Sequence, residues 1–321
     1  MVEFRMYVGL SGSGKSTLAQ DFITENRNPT REDKYRYLSS DRIREELYGD
    51  ENCQDNPAAV FELMNQRTVD SLAAGVSVVY DATNLSAKRR KAFIRRIKQC
   101  VKHSVIFTAV VVACPLDTCI FQDKTRKRTV GTAVIMKQLA AFQIPTKHEG
   151  WDNIILEYTH DRATIEAHAG NYVMEAYEMQ HENPHHNDTV FQHSVAVADI
   201  MQRDYEREEP LPFPEIVQFI RSIGLLHDIG KVCTKTYDEN GIAHFYGHNS
   251  ASAYLSLFFP AKFTTEQVLM RAAIIGWHMR HFSFQTEEGF NYWLLTLDAI
   301  ESLLLKLLMS ADQENSLPLS N

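Results

Sequence analysis

Gly9-Leu10-Ser11-Gly12-Ser13-Gly14-Lys15-Ser16 fills the pattern G-x-x-x-x-G-K-[ST] in full, directly after the apolar run Phe4–Val8. Glycines let such a loop turn its backbone N–H groups onto phosphate oxygens, and the helix that follows adds the positive end of its dipole. Lys15 can bridge the β- and γ-phosphates of ATP and Ser16 can hold Mg²⁺, with Thr17 a further hydroxyl one residue on. The chemistry these types and this spacing support is phosphoryl transfer from ATP.

Three more segments bear on the acceptor. In Ser39-Ser40-Asp41-Arg42-Ile43-Arg44, Asp41 and Arg44 stand about one helical turn apart. The carboxylate could take a proton from an attacking hydroxyl and the arginine could grip a phosphate; Asp is also a favoured helix N-cap, which is the competing reading. Asp81, in Asp81-Ala82-Thr83-Asn84, follows the β-rich run Val76–Tyr80 and so belongs at the carboxyl end of a strand, where α/β sheets bind ligands. A cap for the helix from Ser86 is its alternative. Arg126 and Arg128, in Asp123-Lys124-Thr125-Arg126-Lys127-Arg128, could form a lid that stabilises the transferring charge, or a solvated cluster. Lys88 to Lys98 forms a basic helix surface that could follow a nucleic-acid backbone or simply be solvated.

The second half carries a different set: His193, the pair His227-Asp228 with Lys231 just after it, His248, His278 and Asp312. Imidazole and carboxylate are ligands for divalent transition metals, and an adjacent His-Asp pair can serve one ion or one each of two. A lone His-Asp dipeptide means little. The weight lies in the order H…HD…H…H…D, each member on an expected helix or its end. Such ligands favour Mn²⁺, Fe²⁺, Co²⁺, Ni²⁺ or Zn²⁺ over Mg²⁺. His185, His186, His244 and His281 are nearby and could meet substrate phosphate, with a plain surface role the stronger reading for His281.

The elements that must position these residues change character along the chain. Up to about residue 160, strands (Phe4–Val8, Tyr35–Leu38, Val76–Tyr80, Val105–Ala113, Ile154–Tyr158) alternate with helices (Lys15–Asn26, Ala58–Ala74, Ser86–Val101). That alternation predicts a parallel sheet with flanking helices. Beyond it, Val190–Arg203, Glu215–Leu226, Ser250–Phe259, Thr265–His278 and Tyr292–Ala311 all carry helical spacing, which predicts an all-α second domain. The polar stretch His160–Gly170 reads as the junction, giving domains 1–160 and 161–321.

Composition agrees. The chain has 321 residues, 44% of them hydrophobic, enough for two domains. Residues 1–155 hold 23 Lys/Arg against 18 Asp/Glu, and residues 156–321 hold 10 against 23. A basic first half suits a polyanionic substrate and an acidic, His-rich second half suits bound cations. No apolar run is long enough to span a bilayer, and Met1–Leu10 reads as a first strand and not as a signal peptide. Five scattered cysteines fit free thiols in a reducing cytoplasm, of a bacterial or phage-infected cell.

The P-loop, Asp41 with Arg44, Asp81 to Asn84, the basic lid and Pro145…Glu149-Gly150-Trp151-Asp152 together resemble the phage-type 5′-polynucleotide kinases over roughly residues 4–158. The resemblance implies that Asp41 is the general base on a 5′-hydroxyl, that Arg44 contacts the neighbouring phosphate, and that Arg126 or Arg128, with Arg126 favoured, is the lid arginine. The histidine set resembles the HD-domain metal phosphohydrolases over roughly residues 185–312, and Asn183–His193 is similar to the HD domain attached to some tRNA nucleotidyltransferases. Here the resemblance implies core ligands at His193, His227, Asp228 and Asp312, a second metal at His248 and His278, and Lys231 as a basic residue beside the metal. No D-x-D-G-[TV] segment is present, so the acid phosphatase of phage-type end-healing enzymes is missing.

These readings imply a bifunctional end-healing enzyme acting on RNA or DNA ends, whose products would suit a nucleic-acid ligase. A small-molecule or nucleoside kinase fused to a nucleotide phosphohydrolase, and a nucleotide-gated RNA-binding regulator with a structural HD half, are also compatible with the sequence. Oligomeric state is left open.

Overall fold

The computed structural model describes residues 1–26, 34–126, 128–182, 188–208, 213–260 and 262–316. Backbone contacts divide the chain into two compact units, Met1–Gln138 with Pro145–His160, and Leu139–Ile144 with Asp161–Asn321.

The first unit is a five-stranded, wholly parallel sheet. In chain order it runs β1 (Val2–Val8), α1 (Lys15–Glu25), β2 (Tyr35–Ser39), α2 (Ser40–Tyr48), α3 (Pro57–Ala73), β3 (Ser77–Asp81), α4 (Ala87–Cys100), β4 (Val105–Ala113), α5 (Leu116–Thr125), α6 (Thr132–Leu139) and β5 (Asn153–Tyr158). The strands lie in the order β2-β3-β1-β4-β5. The central strands β3 and β4 are near-continuous apolar runs because helices cover both faces of a parallel sheet.

The segment Pro145–Asp152 fastens this unit. The buried Glu149 carboxylate receives Arg90 Nε and Nη2, both at 2.7 Å, and Trp151 Nε1 at 3.1 Å. The Trp151 ring lies near-parallel to Phe4, at 6.3 Å and 11°. The basic helix α4 is thus partly structural: Arg90 is buried on Glu149, and Arg96 forms a forked pair with Glu62.

The second unit is helical: α7 (Arg162–Glu178), α8 (Val190–Glu208), α9 (Pro214–Leu226), α10 (Lys231–Thr234), a ribbon of β6 (Thr236–Tyr237) and β7 (Ala243–His244), α11 (His248–Ser256), α12 (Thr265–Trp277), α13 (Glu287–Leu294) and α14 (Ala299–Glu314). Its core gathers Val197, Met201, Ile220, Ile223, Ile274, Leu305 and Leu308. Two expected segments differ. The polar stretch from His160 opens α7, capped by Asp161 and buried through Ile165, Ala169, Tyr172 and Ala176, a helical stripe masked by polar neighbours. The single helix expected over Tyr292–Ala311 is two, because Asp298 and Glu301 form a capping box that starts α14 afresh. Among the described residues no helix is long and apolar enough to cross a membrane.

Candidate active sites

In the first unit the carboxyl ends of β1, β3 and β2 are level, since Tyr7 pairs with Asp81 and Asp81 with Ser39. The P-loop leaves β1 at this edge. Gly12 has φ of 77°, and a Cβ there would stand 2.2 Å from the Cys119 carbonyl oxygen in α5, so only glycine fits. Lys15 is buried at the start of α1, where Nζ donates to the Leu10 carbonyl at 2.6 Å. Burial lowers its pKa from the ordinary lysine value, and the Asp81 carboxylate opposes the change. Ser16 lines the cavity beside it, whereas Thr17 is exposed at the same helix end and does not line it. The donor set and the glycine cradle fit a triphosphate, with Ser16 and Asp81 the available oxygen ligands for Mg²⁺.

Asp41 is not the cap of α2. Ser39 is, accepting from the Asp41 backbone N–H at 3.3 Å, which leaves the Asp41 carboxylate in the first turn and facing the cavity. Its Oδ1 accepts from Arg44 Nη1 at 2.8 Å and is also paired with Arg128. Asp81 is not a cap either, because Ser86 caps α4. Asp81 is buried and accepts from Tyr37 Oη at 2.5 Å. Burial and the Asp81 charge raise the Tyr37 pKa, so the phenol keeps its proton.

The lid residues are tied down by Asp123. This buried carboxylate accepts from Val130 N–H at 3.1 Å and Gly131 N–H at 2.9 Å and pairs with Arg126. Burial disfavours its charge, yet those donors hold its pKa below the ordinary value. Lys127 lies outside the described residues. Arg126 and Arg128 both line a cavity of about 460 Å³ whose wall also includes Ser11, Lys15, Asp41, Arg44, Asp81, Asn52, Phe61 and Arg89.

In the second unit Asp228 is the hub. Its Oδ2 lies 3.5 Å from His193 Nε2 and 3.3 Å from His227 Nε2, and its Oδ1 lies 3.3 Å from His248 Nε2. Asp312 Oδ1 lies 3.1 Å from His193 Nε2 and 3.7 Å from His227 Nε2. Two groups can each surround an ion: His193, His227 and Asp228, then Asp228, His248 and His278, with ligand atoms within 4.8 Å of one another. Three imidazoles present Nε2 because backbone carbonyls take the other nitrogen: His227 Nδ1 faces Gly224 O at 2.7 Å, His248 Nδ1 faces Phe245 O at 2.8 Å and His278 Nδ1 faces Ile275 O at 2.6 Å. His193 Nδ1 faces the Asn315 amide at 2.9 Å. His227 Nε2 is buried without an aligned hydrogen-bond partner, an orphan that a metal would satisfy.

The charge shifts in the cluster have both signs. Burial opposes protonation of His227, but Asp228 and Asp312 outweigh it and push its pKa up to about 10. Burial would raise Asp228, yet His227 and Lys231 hold it well below the carboxylate range. Burial, with His248 and His227 adding repulsion, lowers His278 to about 3. Lys231 Nζ sits 2.6 Å from Asp228 Oδ2.

The sequence reading missed three residues. His181 is fully buried, with Nε2 3.1 Å from Lys231 Nζ and its ring edge-on to His193 at 5.6 Å. Burial and the Lys231 charge lower its pKa to about 4. No motif marks it. Gln138 cradles the P-loop, accepting from Ser11 N–H at 2.8 Å and donating to Ser11 Oγ at 2.9 Å. Tyr37 is the third, and it reaches Asp81 only because the strand register aligns them. Of the histidines expected near the site, His244 pairs with Asp238 and His281 Nδ1 faces His278 O, while His185 and His186 lie outside the described residues.

Residues 5–145 match a family described as "AAA domain", and residues 190–313 match a family described as "HD domain". Among curated proteins none matches. Solved structures similar to this chain include "Structure of Pnkp1/Rnl/Hen1 complex", 21% identical with a TM-score of 0.30, covering 37% of this chain and 38% of that one. A second is "Structure of the Pnkp1/Rnl/Hen1 RNA repair complex", 19% identical with a TM-score of 0.34, covering 43% and 42%. This chain therefore spans about two fifths of the length of those relatives. A gluconokinase from Sinorhizobium meliloti is 14% identical with a TM-score of 0.33, covering 50% of this chain and 83% of that one.

Proposed function

We propose that this chain, which joins an AAA-type P-loop domain to an HD domain with the division near residues 160–161, is a bifunctional nucleic-acid end-healing enzyme. The P-loop domain would transfer the γ-phosphoryl group of ATP to a 5′-hydroxyl of RNA or DNA. The HD domain would remove a 3′-phosphate or 2′,3′-cyclic phosphate. The products, a 5′-phosphate and a 3′-hydroxyl, are the ends a nucleic-acid ligase joins, and such a ligase is the proposed partner. The observation that carries this reading is the cavity at Lys15. Its lining joins the P-loop residues Ser11, Lys15 and Ser16 to a carboxylate, Asp41, paired with Arg44 and Arg128, and to Arg89 and Phe61. Four arginines, Arg44, Arg89, Arg126 and Arg128, line it, which suits an acceptor that carries phosphates of its own.

In the transfer, P-loop N–H groups and Lys15 hold the donor phosphates, and Asp41 takes the proton of the attacking hydroxyl. Arg44 anchors the phosphate next to it. Arg126, paired with Asp123, lines the cavity with Lys15 and would stabilise the transferring group, and Arg128 is paired with Asp41. In the HD domain, His193, His227, Asp228 and Asp312 would hold one transition metal, and Asp228, His248 and His278 a second. When bound, such ions lower the pKa of water and polarise a phosphoryl oxygen. Lys231 stands ready to bind the scissile phosphate beside them, kept in place by Asp228 and His181.

Paired variants test the assignment. Lys15→Ala should abolish 5′-labelling and keep 3′-phosphate release, while Asp228→Ala should do the reverse. Near-normal kinase activity in Lys15→Ala, or loss of both activities in a folded Asp228→Ala protein, would overturn it.

A further inference from the structure

Thr236–His248 connects the HD cluster to the surface. The turn ending at the ligand His248 carries one buried and one exposed ring. Phe245 is buried, with Lys231 Nζ 5.3 Å over its face and His181 edge-on at 6.1 Å. Tyr246 is 76% exposed, and its ring lies parallel to the His244 imidazole, with centroids 5.3 Å apart and planes 5° apart. Gly247, between Tyr246 and His248, has φ of 78°, and a Cβ there would meet the Ala140 carbonyl oxygen at 2.6 Å, so the turn is held close to that backbone. The ligand His278 is followed by a second ring contact, a tilted one. His281 Nδ1 faces His278 O at 3.1 Å, and the 72% exposed Phe282 packs on the His281 ring at 3.8 Å and 40°.

Single exposed aromatic residues are ordinary on protein surfaces. These two differ in being laid on an imidazole, and in sitting on short segments whose other ends are the ligands His248 and His278. Those ligands meet at 3.2 Å through Nε2. Two preset flat faces therefore belong to the segments that build the metal cluster.

The geometry points to a nucleobase seat beside the HD cluster: the exposed Tyr246 ring, laid on His244, receives the base of the 3′-terminal nucleotide whose phosphate meets the cluster. This rests on the hydrolase reading above and deepens it, naming a base-bearing single-stranded end as the substrate. Every base has a π-face, so the seat tolerates sequence, and an unpaired end supplies a base free to leave its stack.

Fluorescence anisotropy on the full-length chain, in EDTA to arrest hydrolysis, tests it. The probes are 5′- and 3′-phosphorylated hexaribonucleotides, one with a normal last nucleotide and one with an abasic last ribose, so that charge is the same. The normal end should bind about tenfold more tightly, within the range of base–aromatic stacking. Tyr246→Ala should erase that preference and Tyr246→Trp should keep it. Equal binding of both ends by the unaltered chain, or a preference that survives Tyr246→Ala, would overturn the seat. Phosphate release with Mn²⁺ is measured in parallel. Base-dependent binding without release would contradict the hydrolase reading and leave the seat standing, and release with base-independent binding would do the reverse.

Discussion

His248 Nε2 and His278 Nε2 face each other at 3.2 Å, each ring turned so that Nδ1 meets the carbonyl oxygen three residues earlier. With the protons on Nδ1, two lone pairs converge, an arrangement that a shared cation relieves. Burial lowers both imidazoles, His278 to about 3, so both are neutral at pH 7, whereas His227, held protonated by Asp228 and Asp312, must release its proton to bind an ion. Elemental analysis of the purified protein should find two transition-metal ions per chain, and His248→Ala or His278→Ala should leave one. A single ion untouched by either change would contradict the dinuclear site.

Asp41→Asn should lower kinase kcat by about 10²-fold or more, the usual contribution of a positioned general base. Melting temperature should hardly move, because Ser39 and not Asp41 caps α2. A loss of about 1 kcal/mol in stability, as for a lost cap, with kcat preserved would return Asp41 to a structural role.

Arg126→Ala and Arg128→Ala should differ. Both line the cavity; Arg126, held by Asp123, should cost more in kcat, whereas Arg128, paired with Asp41, should act chiefly on the acceptor and raise its KM. Equal small losses, measured by steady-state kinetics with the oligonucleotide varied, would mean a solvated pair.

Glu149→Gln should destabilise the chain by about 3–5 kcal/mol, because it strands the buried Arg90 guanidinium. Urea unfolding reads the effect. A change below 1 kcal/mol would show that Arg90 finds water or another partner.

That pair also shows where sequence reading ends. Lys88 to Lys98 reads as one basic surface, yet Arg90 is an interior residue because Glu149, far along the chain, folds under it. The P-loop was legible because its chemistry is local backbone. The order His193, His227-Asp228, His248, His278, Asp312 was legible because ligand types are few, and these residues do converge on Asp228. His181 was not, since nothing in its neighbours marks a histidine that reaches Lys231 only through tertiary packing. The Asp41 and Asp81 cap alternatives fell to Ser39 and Ser86, hydroxyls one or two residues from the turn that sequence alone could not rank above aspartate.

The most direct measurement offers a single-stranded RNA bearing a 5′-hydroxyl and a 3′-phosphate, with an equimolar free nucleoside, γ-labelled ATP, Mg²⁺ and Mn²⁺. The account predicts label on the RNA 5′ end, an unlabelled nucleoside, and a 3′-hydroxyl that lets the product be ligated. Label on the nucleoside with the RNA 3′-phosphate untouched would contradict it.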